Sequence, residues 1–340
     1  MSRLEDHYRA IEERYGYEPV AFDLGSLPGE RARTLFAFGN RGEAVAEAPE
    51  ASLVATGLGM TGPPHVGTLG QMLTAVRLQE AGFDVQFVLA DLEVYNGRGW
   101  PLDPLRERAE RYRSFLLDLG FDPGEGRLRT QFGAPEVMRT GHLLARYFDP
   151  EEDATPEGPP TAFEEALEAA YDDADIERGE TTAFARETTG LLMLADFLHP
   201  LLDGDYGTVA VMLGADAHGW AVRANHLLDR AGHDARVAAL YTRLIEGLAG
   251  HPKMSKSIPA SRLDLAMEPA AIREAVTASE EYDRPADSRT YQMMCLASEY
   301  SAAELAARRE ACAEGGAAWA DAKAEYADYL ADMAAAWPGG

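Results

Sequence analysis

The chain has 340 residues, of which 46% are hydrophobic, enough for one large or two moderate domains with buried cores. Its 57 acidic and 31 basic residues give a formal net charge of −26, which by itself argues against a nucleic-acid partner. No apolar run reaches membrane-spanning length, and the first residues lack the pattern of a signal peptide, so we expect no membrane association. Cys295 and Cys312 match no metal-ligand spacing, which indicates a reduced, cytoplasmic setting without a zinc site.

The excess of acidic residues can also be interpreted as an adaptation to a solvent of high salt concentration. Carboxylates are spread along the whole chain, lysine is almost absent, and alanine and glycine are abundant, as in proteins from salt-loving cytoplasms. In molar salt the Debye length drops to ~3 Å, so only charges in contact act on a ligand. A halophilic protein is therefore a working hypothesis, and retention of fold and activity at low ionic strength would refute it.

In chain order, residues 1–50 are predicted to form a helix from Leu4 to Tyr15 and then a segment punctuated by Gly and Pro, a peripheral N-terminal extension. The apolar run 53–56, closed by Gly57, predicts a buried strand. A Gly- and Pro-rich loop then leads to a helix over 69–78, and a second apolar strand covers 85–91. Strand, loop, helix and strand in this order predict a βαβ unit.

The middle of the chain continues the same pattern. An amphipathic helix is predicted over 107–119, and the acidic, Pro-rich residues 149–182 are interpreted as an insertion with a helix near 163–171. Apolar strands over 209–213 and 236–241 flank a helix over 221–231. Because such runs suit a parallel sheet covered on both faces, we predict an α/β domain with a parallel sheet over 51–260.

Beyond residue 262 the pattern is helical to the end of the sequence. Helices are predicted over 269–279, 288–298, 302–313 and 319–336. We therefore expect a small all-α C-terminal domain over 261–340, and no internal repeat is evident.

Two of the three lysines fall in one pentapeptide, Lys253-Met254-Ser255-Lys256-Ser257. With one other exception, every positive charge in the chain is arginine, so this loop uses the ammonium group for a purpose that guanidinium does not serve. Lysine is a compact charge on a flexible stem, which suits it to hold a phosphate that moves during a reaction. The pentapeptide, called here the lysine loop, is therefore predicted to be a mobile nucleotide-binding loop.

A second phosphate site is predicted at Pro64-His65-Val66-Gly67-Thr68, between the first strand and its helix. Backbone amides and the helix dipole make such a turn an anion site. There His65 can donate a hydrogen bond to a phosphate oxygen, and Gly67 allows a base to pack against the backbone. A histidine at a turn is more often a capping residue, so the prediction depends on the combination with the lysine loop.

Together these two segments resemble the signature motifs of class I aminoacyl-tRNA synthetases. The stretch Leu78–Asp84, followed by Leu89–Leu92, is similar to the tyrosyl and tryptophanyl members, and the C-terminal helices are laid out as in the tryptophanyl enzymes. The resemblance covers residues 51–337 and leaves residues 1–50 unexplained. It implies that the α/β domain over 51–260 is a Rossmann-type, nucleotide-binding catalytic domain.

The resemblance implies a role for individual residues of this chain. Catalytic contacts to the phosphates of ATP, bound with Mg²⁺, are expected from His65, Thr68, Lys253 and Lys256. Further ATP contacts are expected from Gly57, Gly67, Gly214, Asp216, Met254, Ser255 and Ser257, with Asp216 holding the ribose. The amino acid is expected to meet Asp91, Met193, Asp196 and His218, and no metal site formed by protein ligands is expected.

Tryptophan is the favoured amino acid, because Met193 and Asp196 resemble the residues that tryptophanyl enzymes place around the indole. An aspartate that accepts the indole N–H confers specificity, since an unpartnered buried N–H costs ~1–3 kcal/mol. An alternative assigns Met193 to the core and Asp196 to a local polar contact. Asn96, after the second strand, is a further candidate for the substrate amino group.

The implied activity is that of an ATP-dependent aminoacyl-tRNA ligase, with tRNA as a partner and a homodimer as the assembly. Local arginines would meet the tRNA, namely Arg106, Arg108, Arg111, Arg113, Arg127 and Arg129. Two departures from the family pattern are Thr68, where the first motif usually ends in histidine, and Ala217, where a glutamine follows the ribose-binding acid. Two alternatives stay open: a paralogue that adenylates an amino acid for a non-tRNA acceptor, and a non-catalytic nucleotide- or amino-acid-binding module.

Overall fold

The structure, a computed structural model, describes residues 3–124, 127–150, 158–174, 176 and 179–338. Its centre is a six-stranded sheet. The strands are β1 Phe36–Asn40, β2 Ser52–Leu58, β3 Asp84–Leu89, β4 Leu128–Thr130, β5 Thr208–Gly214 and β6 Val237–Thr242. They lie in the order β1-β6-β5-β2-β3-β4, and every neighbouring pair is parallel except β1 and β6. The predicted Rossmann-type parallel sheet is therefore confirmed.

Helices cover both faces of this sheet. Numbered along the described residues, they are α1 Arg3–Tyr15, α2 Gly29–Leu35, α3 Gly42–Glu47, α4 Val66–Glu80, α5 Asp91–Arg98, α6 Leu102–Asp118, α7 Pro135–Leu144, α8 Ala162–Asp173, α9 Ala183–Leu202, α10 Trp220–Ala231, α11 Pro269–Thr277, α12 Arg289–Leu296, α13 Ala302–Glu314 and α14 Gly316–Ala336. None of them is both long enough and apolar enough to span a bilayer, among the residues that the structure describes.

The N-terminal fifty residues differ from the peripheral extension expected from the sequence. Strand β1 pairs antiparallel with β6 and forms one edge of the sheet. Tyr8 and Ile11 of α1 are buried, in one cluster with sheet residues such as Val211. This segment is therefore an integral layer of the sheet domain, because its apolar side chains are buried against the sheet.

The C-terminal helices share a core with the sheet domain. Residues of α11 to α14 belong to the same buried cluster as α4 and β3. Trp337 packs edge-on against Tyr112 and Phe115 of α6, with ring centroids 5.0 and 5.4 Å apart. A Cβ on Gly70 of α4 would lie 3.0 Å from Leu296, so the glycine allows α12 to approach α4 closely. The all-α segment is thus fixed against the sheet domain.

Part of the acidic segment predicted as an insertion, residues 151–157, lies outside the described residues. Its predicted helix is present as α8, which begins with a capping box between Thr161 and Glu164. This helix packs on α1, and Arg14 lies 3.6 Å from the Glu164 carboxylate. The segment is therefore connected to the N-terminal layer.

Candidate functional site

A cavity of about 430 Å³ opens at the carboxyl ends of β2 and β5. These two strands are neighbours, yet the chain leaves β2 towards β3 on one side and returns to β5 on the other. Open α/β sheets bind ligands in the crevice at such a switch point. The predicted residues that line this cavity are Gly57, His65, Gly214, Asp216, Lys253, Ser255, Lys256 and Ser257.

Backbone pairing holds the two signature segments together. His65 forms an isolated bridge with Asp264, Val66 N–H donates to Leu263 O at 3.0 Å, and Leu265 N–H donates to Pro64 O at 2.9 Å. The turn before α4 is thus joined directly to the segment that follows the lysine loop. Residues almost 190 positions apart in sequence therefore face one cavity.

His65 is the N-cap of α4, and its Nδ1 accepts a hydrogen bond from Thr68 N–H at 3.3 Å. Burial, followed by the charges of Lys256 and Lys253, holds the pKa of His65 well below its ordinary value. The ring is therefore neutral, with its proton on Nε2, because Nδ1 acts as the acceptor. This arrangement leaves one N–H donor for a phosphate oxygen, so the capping and phosphate-binding interpretations are compatible.

Lys253, the first lysine of the loop, is paired with Asp216. Its ammonium donates to Oδ2 of Asp216, which follows the end of β5. Burial alone would lower the pKa of Lys253, but the Asp216 carboxylate raises it. Burial likewise would raise the pKa of Asp216, and Lys253 lowers it. Both side chains are therefore charged, and the ribose-binding candidate holds the lysine in place.

Lys256, the second lysine, has a different environment. Burial lowers its pKa to about 7, against a favourable interaction with Glu93, and its ammonium lies 6.0 Å from the centre of the Tyr112 ring. Burial, then the charge of Asp196, raises the pKa of Glu93 to about 7. Both groups consequently titrate near neutral pH, and a polyanion in the cavity would stabilise the protonated lysine.

Two glycines leave room for the ligand and for neighbouring strands. A Cβ on Gly57 would lie 2.6 Å from Val88 O of β3, and a Cβ on Gly214 would lie 2.5 Å from Asp216 Oδ1. At Gly57 the clash is with backbone of the neighbouring strand, so glycine is required there, whereas a side chain at position 214 would displace the Asp216 carboxylate from its observed position. The cavity edge formed by β2 and β5 thus depends on backbone rather than on side chains.

Hydrogen bonds to neighbouring segments hold the backbone of the lysine loop. Met254 is buried and its N–H donates to Ile245 O at 3.0 Å. Ser255 N–H donates to Ser261 Oγ at 3.0 Å, and Ser255 Oγ lies 3.3 Å from the Tyr171 hydroxyl. These contacts fix the loop backbone, while the Lys253 and Lys256 side chains face the cavity.

A smaller cavity of about 100 Å³ adjoins the first and shares Gly57, Leu58, Gly59, Glu93 and Leu213 with it. Its other walls are Thr56, Val88, Ala90, Gln131, Met193, Asp196 and Phe197. Predominantly apolar walls with a few polar groups are typical of an amino-acid side-chain pocket. Glu93 lies where the two cavities meet.

The Asp196 carboxylate at this pocket already has two partners. Oδ1 lies 2.8 Å from Arg129 Nη2, and Oδ2 accepts from Gln131 Nε2 at 2.8 Å. Burial, opposed by Arg129 and Gln131, raises the pKa of Asp196. A carboxylate has about four lone-pair directions, so two acceptor positions remain for a ligand N–H or O–H.

Asp91 and His218 line neither cavity, although residues next to each of them in the chain do. Asp91 is fully buried, and its Oδ1 accepts from Leu92 N–H at 2.9 Å and Phe132 N–H at 3.1 Å, which joins the start of α5 to the loop after β4. His218 packs against His7 of α1, and its Nδ1 lies 3.2 Å from Ala215 O. Both side chains make contacts within the protein, and their predicted contact with an amino acid stays a prediction.

Gly67, Thr68 and Met254 lie behind the cavity wall. Thr68 is buried and its N–H is bonded to His65, and a Cβ on Gly67 would lie 2.9 Å from the His65 ring. These two residues therefore act on the site through the position of His65. Asn96 of α5 accepts a hydrogen bond from Thr181 Oγ1 through its backbone carbonyl.

Glu93, Gln131 and Tyr171 are site residues that the sequence interpretation missed. Glu93 follows the carboxyl end of β3, and this position after a parallel strand was the signal that could have found it. Gln131 follows β4, a three-residue strand whose sequence carries no apolar run. Tyr171 lies in α8, and no local sequence feature connects this helix to the lysine loop.

Most of the six arginines assigned to tRNA contacts are engaged within the protein. Arg108 donates to Met60 O at 2.6 Å, and Arg113 donates to Leu128 O at 2.8 Å. Arg127 pairs with Asp84 at 2.6 Å, and Arg129 pairs with Asp196. Arg106 and Arg111 are the exposed members of the set, and Arg106 also contacts Asp103 at 3.5 Å and lies 4.1 Å above the centre of the Phe132 ring.

The sheet and its connections define an α/β protein of Rossmann type, and the switch-point cavity with its two lysines is a candidate nucleotide site. A family profile described as tRNA synthetases class I (W and Y) matches residues 49–149 and 176–327. The chain belongs to this family.

Two curated relatives carry different amino-acid names. Tryptophan–tRNA ligase 1 of Halobacterium salinarum is 28% identical over 215 residues, which cover 62% of this chain and 38% of that protein. Tyrosine–tRNA ligase of Methanopyrus kandleri is 29% identical over 230 residues, which cover 67% of this chain and 64% of that protein. The matched region is therefore less than two thirds of the length of either relative.

Solved structures show the same fold over nearly the whole chain. The tryptophanyl-tRNA synthetase of Aeropyrum pernix has a TM-score of 0.70 at 23% identity, covering 96% of this chain and 95% of that one. The tyrosyl-tRNA synthetase of Archaeoglobus fulgidus, complexed with L-tyrosine, has a TM-score of 0.63 at 18% identity and covers 98% of both chains. Because both sequence identities are below 25%, the likeness to these two structures shows a shared fold only.

Proposed function

We propose that this chain is an aminoacyl-tRNA synthetase that joins an aromatic amino acid, tryptophan in preference to tyrosine, to AMP and transfers it to tRNA. The observation that carries the proposal is the convergence of His65, Asp216, Lys253 and Lys256 on one cavity that opens into a smaller pocket. A carboxylate bound between the two compartments would lie next to the α-phosphate of a nucleotide in the larger one.

Activation requires attack of the amino-acid carboxylate on the α-phosphorus of ATP, with pyrophosphate leaving. No protein nucleophile is needed, so catalysis consists of positioning and charge stabilisation. Lys253, Lys256 and the Nε2–H of His65 are the donors available to the phosphates. Their contribution to rate depends on contacts that strengthen as charge moves onto the leaving group.

Lys253 and Asp216 pair with each other, and bound ATP would offer each of them a different partner. When ATP binds, its ribose hydroxyls would donate to the Asp216 carboxylate and its phosphates would accept from the Lys253 ammonium. Each charge then exchanges one partner for another and is never left buried without one, which would cost several kcal/mol. Lys256, with its pKa lowered to about 7, would gain a proton as the phosphates enter.

Mg²⁺ would enter as part of the ATP complex and neutralise phosphate charge. No group of three or more His, Cys, Asp or Glu side chains able to hold a metal ion occurs among the described residues. A magnesium ion held mainly by substrate phosphates and water needs no such cluster. The chain supplies the lysine and histidine donors, and the nucleotide supplies the metal ligands.

For the amino acid, Glu93 is the carboxylate available to the α-ammonium group, since it lies at the junction of the two cavities. The side chain would enter the smaller pocket between Met193 and Phe197 and donate to a remaining lone pair of Asp196. Tryptophan is preferred because an indole offers this donor together with a large apolar surface.

The test is amino-acid-dependent exchange of pyrophosphate into ATP, measured in concentrated KCl with each of the twenty amino acids, without and then with tRNA. Exchange with tryptophan supports the proposal and its specificity. Exchange with tyrosine retains adenylation and rejects the preference. Absence of exchange with every amino acid, in protein whose circular dichroism shows an intact fold, would reject synthetase activity.

A second candidate function keeps amino-acid adenylation and replaces tRNA by another acceptor. It is favoured by the net charge of −26 and by the engagement of Arg108, Arg113, Arg127 and Arg129 within the protein, which leaves few basic groups for RNA. Exchange activity without detectable tRNA binding at the same salt concentration would select this candidate.

A further inference from the structure

A third cavity, of about 350 Å³, lies outside the site described above. Segments from the N-terminal layer, the turn after β6 and the C-terminal helices form it together. Its apolar wall consists of Leu4, Tyr8, Leu244, Tyr291, Cys295 and Leu296. Four arginines complete the lining, Arg33, Arg243, Arg284 and Arg309, and we call this space the arginine cavity.

The four arginines come from four separate parts of the chain. Arg33 lies in α2, Arg243 directly after β6, Arg284 before α12, and Arg309 in α13. Acidic residues outnumber basic ones 57 to 31, yet Glu5 is the one carboxylate in the described lining of this cavity. Bringing four guanidinium groups together costs repulsion, which an anionic ligand would relieve.

Two of these arginines are fixed by carboxylates. Arg243 Nη1 lies 2.7 Å from Glu5 Oε1, and Arg243 Nε donates to Arg33 O at 3.2 Å. Arg284 forms a bidentate pair with Asp287, at 2.9 and 2.8 Å. These contacts hold the guanidinium planes in place and leave further N–H groups for a ligand, since each guanidinium has five.

The other two arginines have no such anchor. Within the part of the chain that the structure describes, the side chains of Arg33 and Arg309 have neither a hydrogen-bond partner nor an ion-pair partner, and both residues are exposed. Four arginines and Glu5 line the cavity, and Asp287 pairs with Arg284, so two carboxylates are paired with two of the four guanidinium groups. Glu12 and Asp283 also interact with Arg243 and Arg284, whereas Arg33 and Arg309 keep no carboxylate partner among the described residues. A phosphate monoester carries about −1.5 to −2 at pH 7 and binds guanidinium groups bidentately.

We propose that the arginine cavity is a binding site for a small phosphate monoester with an apolar or aromatic body. The phosphate lies between Arg33 and Arg309, with Arg243 and Arg284 as fixed donors, and the body packs on Tyr8 and Tyr291. This site is independent of the proposed adenylation activity, because it shares no lining residue with either cavity at the sheet switch point. Part of its wall, residues 4–34, also lies outside the segments that the family profile matches.

Phenyl phosphate is a suitable probe, because it combines the two ligand features and lacks the base and ribose of a nucleotide. Titration calorimetry is carried out on the full chain, at the lowest KCl concentration that leaves the circular dichroism spectrum unchanged. Phenyl phosphate is expected to bind at one site, at least tenfold more tightly than inorganic phosphate and more tightly than phenol.

Three double variants locate the binding. The change Arg33→Gln with Arg309→Gln is expected to raise Kd at least tenfold. The change Arg139→Gln with Arg146→Gln alters the net charge equally at two exposed positions and is expected to leave Kd within twofold. The change Lys253→Gln with Lys256→Gln removes the phosphate donors of the other site and is also expected to leave Kd within twofold.

The proposal is overturned if phenyl phosphate does not bind, if both arginine pairs weaken it equally, or if the lysine pair abolishes it. A filter-binding assay with tRNA adds a further outcome. If changing Arg33 and Arg309 weakens tRNA binding while phenyl phosphate fails to bind, the four arginines belong to a nucleic-acid surface and the small-ligand site is rejected.

Discussion

Replacing Glu93 by glutamine tests the electrostatics of the junction between the two cavities. Burial and the charge of Asp196 raise the pKa of Glu93 from 4.5 to about 7. The native protein therefore keeps this carboxyl protonated at pH values where the unfolded chain has lost the proton. Its contribution to stability is full below pH 4.5 and is lost as the pH rises through 7.

The size of the effect follows from the pKa difference. At 1.36 kcal/mol per pH unit, ionised Glu93 reduces the free energy of unfolding by up to about 3 kcal/mol above pH 7. Glutamine resembles the protonated carboxyl and does not titrate. Glu93→Gln should therefore match the native protein near pH 4.5 and exceed its stability by ~1–3 kcal/mol at pH 8.5.

Activity should change in the opposite direction. If Glu93 binds the substrate ammonium, its charge contributes ~1.5–3 kcal/mol to that contact. The KM for the amino acid in pyrophosphate exchange should then rise by roughly 10- to 150-fold, while the KM for ATP changes little. A gain in stability with a loss of function is the expected behaviour of a strained site.

Urea unfolding at pH 4.5 and 8.5 measures the stability difference, and Glu107→Gln, on the exposed face of α6, is the matched control. The control should show no pH-dependent difference from the native protein. A Glu93→Gln protein with the same stability difference at both pH values would refute the argument for a buried, high-pKa carboxyl. An unchanged amino-acid KM would refute its role in binding the ammonium group.

Three further predictions concern other parts of the molecule. Lys253→Ala should slow exchange by ~10²-fold through loss of a charged contact to the leaving group, whereas Lys323→Ala, in α14, should leave the rate unchanged; equal rates for both variants would contradict the assignment. Gly57→Ala would place a Cβ 2.6 Å from Val88 O, so the free energy of unfolding should fall by ~1–3 kcal/mol in urea titrations, and a neutral effect would show that β2 and β3 can separate. Lowering the salt from ~1 M to ~0.1 M lengthens the Debye length from ~3 to ~10 Å, so the net charge of −26 should lower Tm, and a constant Tm would reject halophilic adaptation.

The central strands could be predicted because their burial leaves a signal in the residues of each strand itself. Strands β2, β3, β5 and β6 are covered on both faces, and this burial requires the continuous apolar runs that the sequence displays. The edge strands were harder to predict. Strand β1 has a short apolar run, Phe36–Phe38, but this run lies within a Gly- and Pro-rich segment, and β4 is three residues long and includes Arg129.

For the site as well, some features could be predicted from local sequence, whereas others depend on long-range packing. The sequence by itself identified the candidate phosphate-binding groups, since His65 and the lysine loop lie in short contiguous motifs that are informative in combination. It also located Asp216, at the end of an apolar strand. Because all three segments are typical of nucleotide binding, their convergence on one cavity could be expected from the residues alone.

Only the tertiary structure decided which charges are paired. Arg129, predicted to face tRNA, is largely covered and pairs with Asp196, and His218 packs against His7 of the N-terminal layer and does not line either cavity. Glu93 comes to lie near Lys256, which is 163 positions away in the sequence. Residue type sets what a side chain can do, but the partner that fixes its pKa and direction comes from a distant segment, and only packing determines which one.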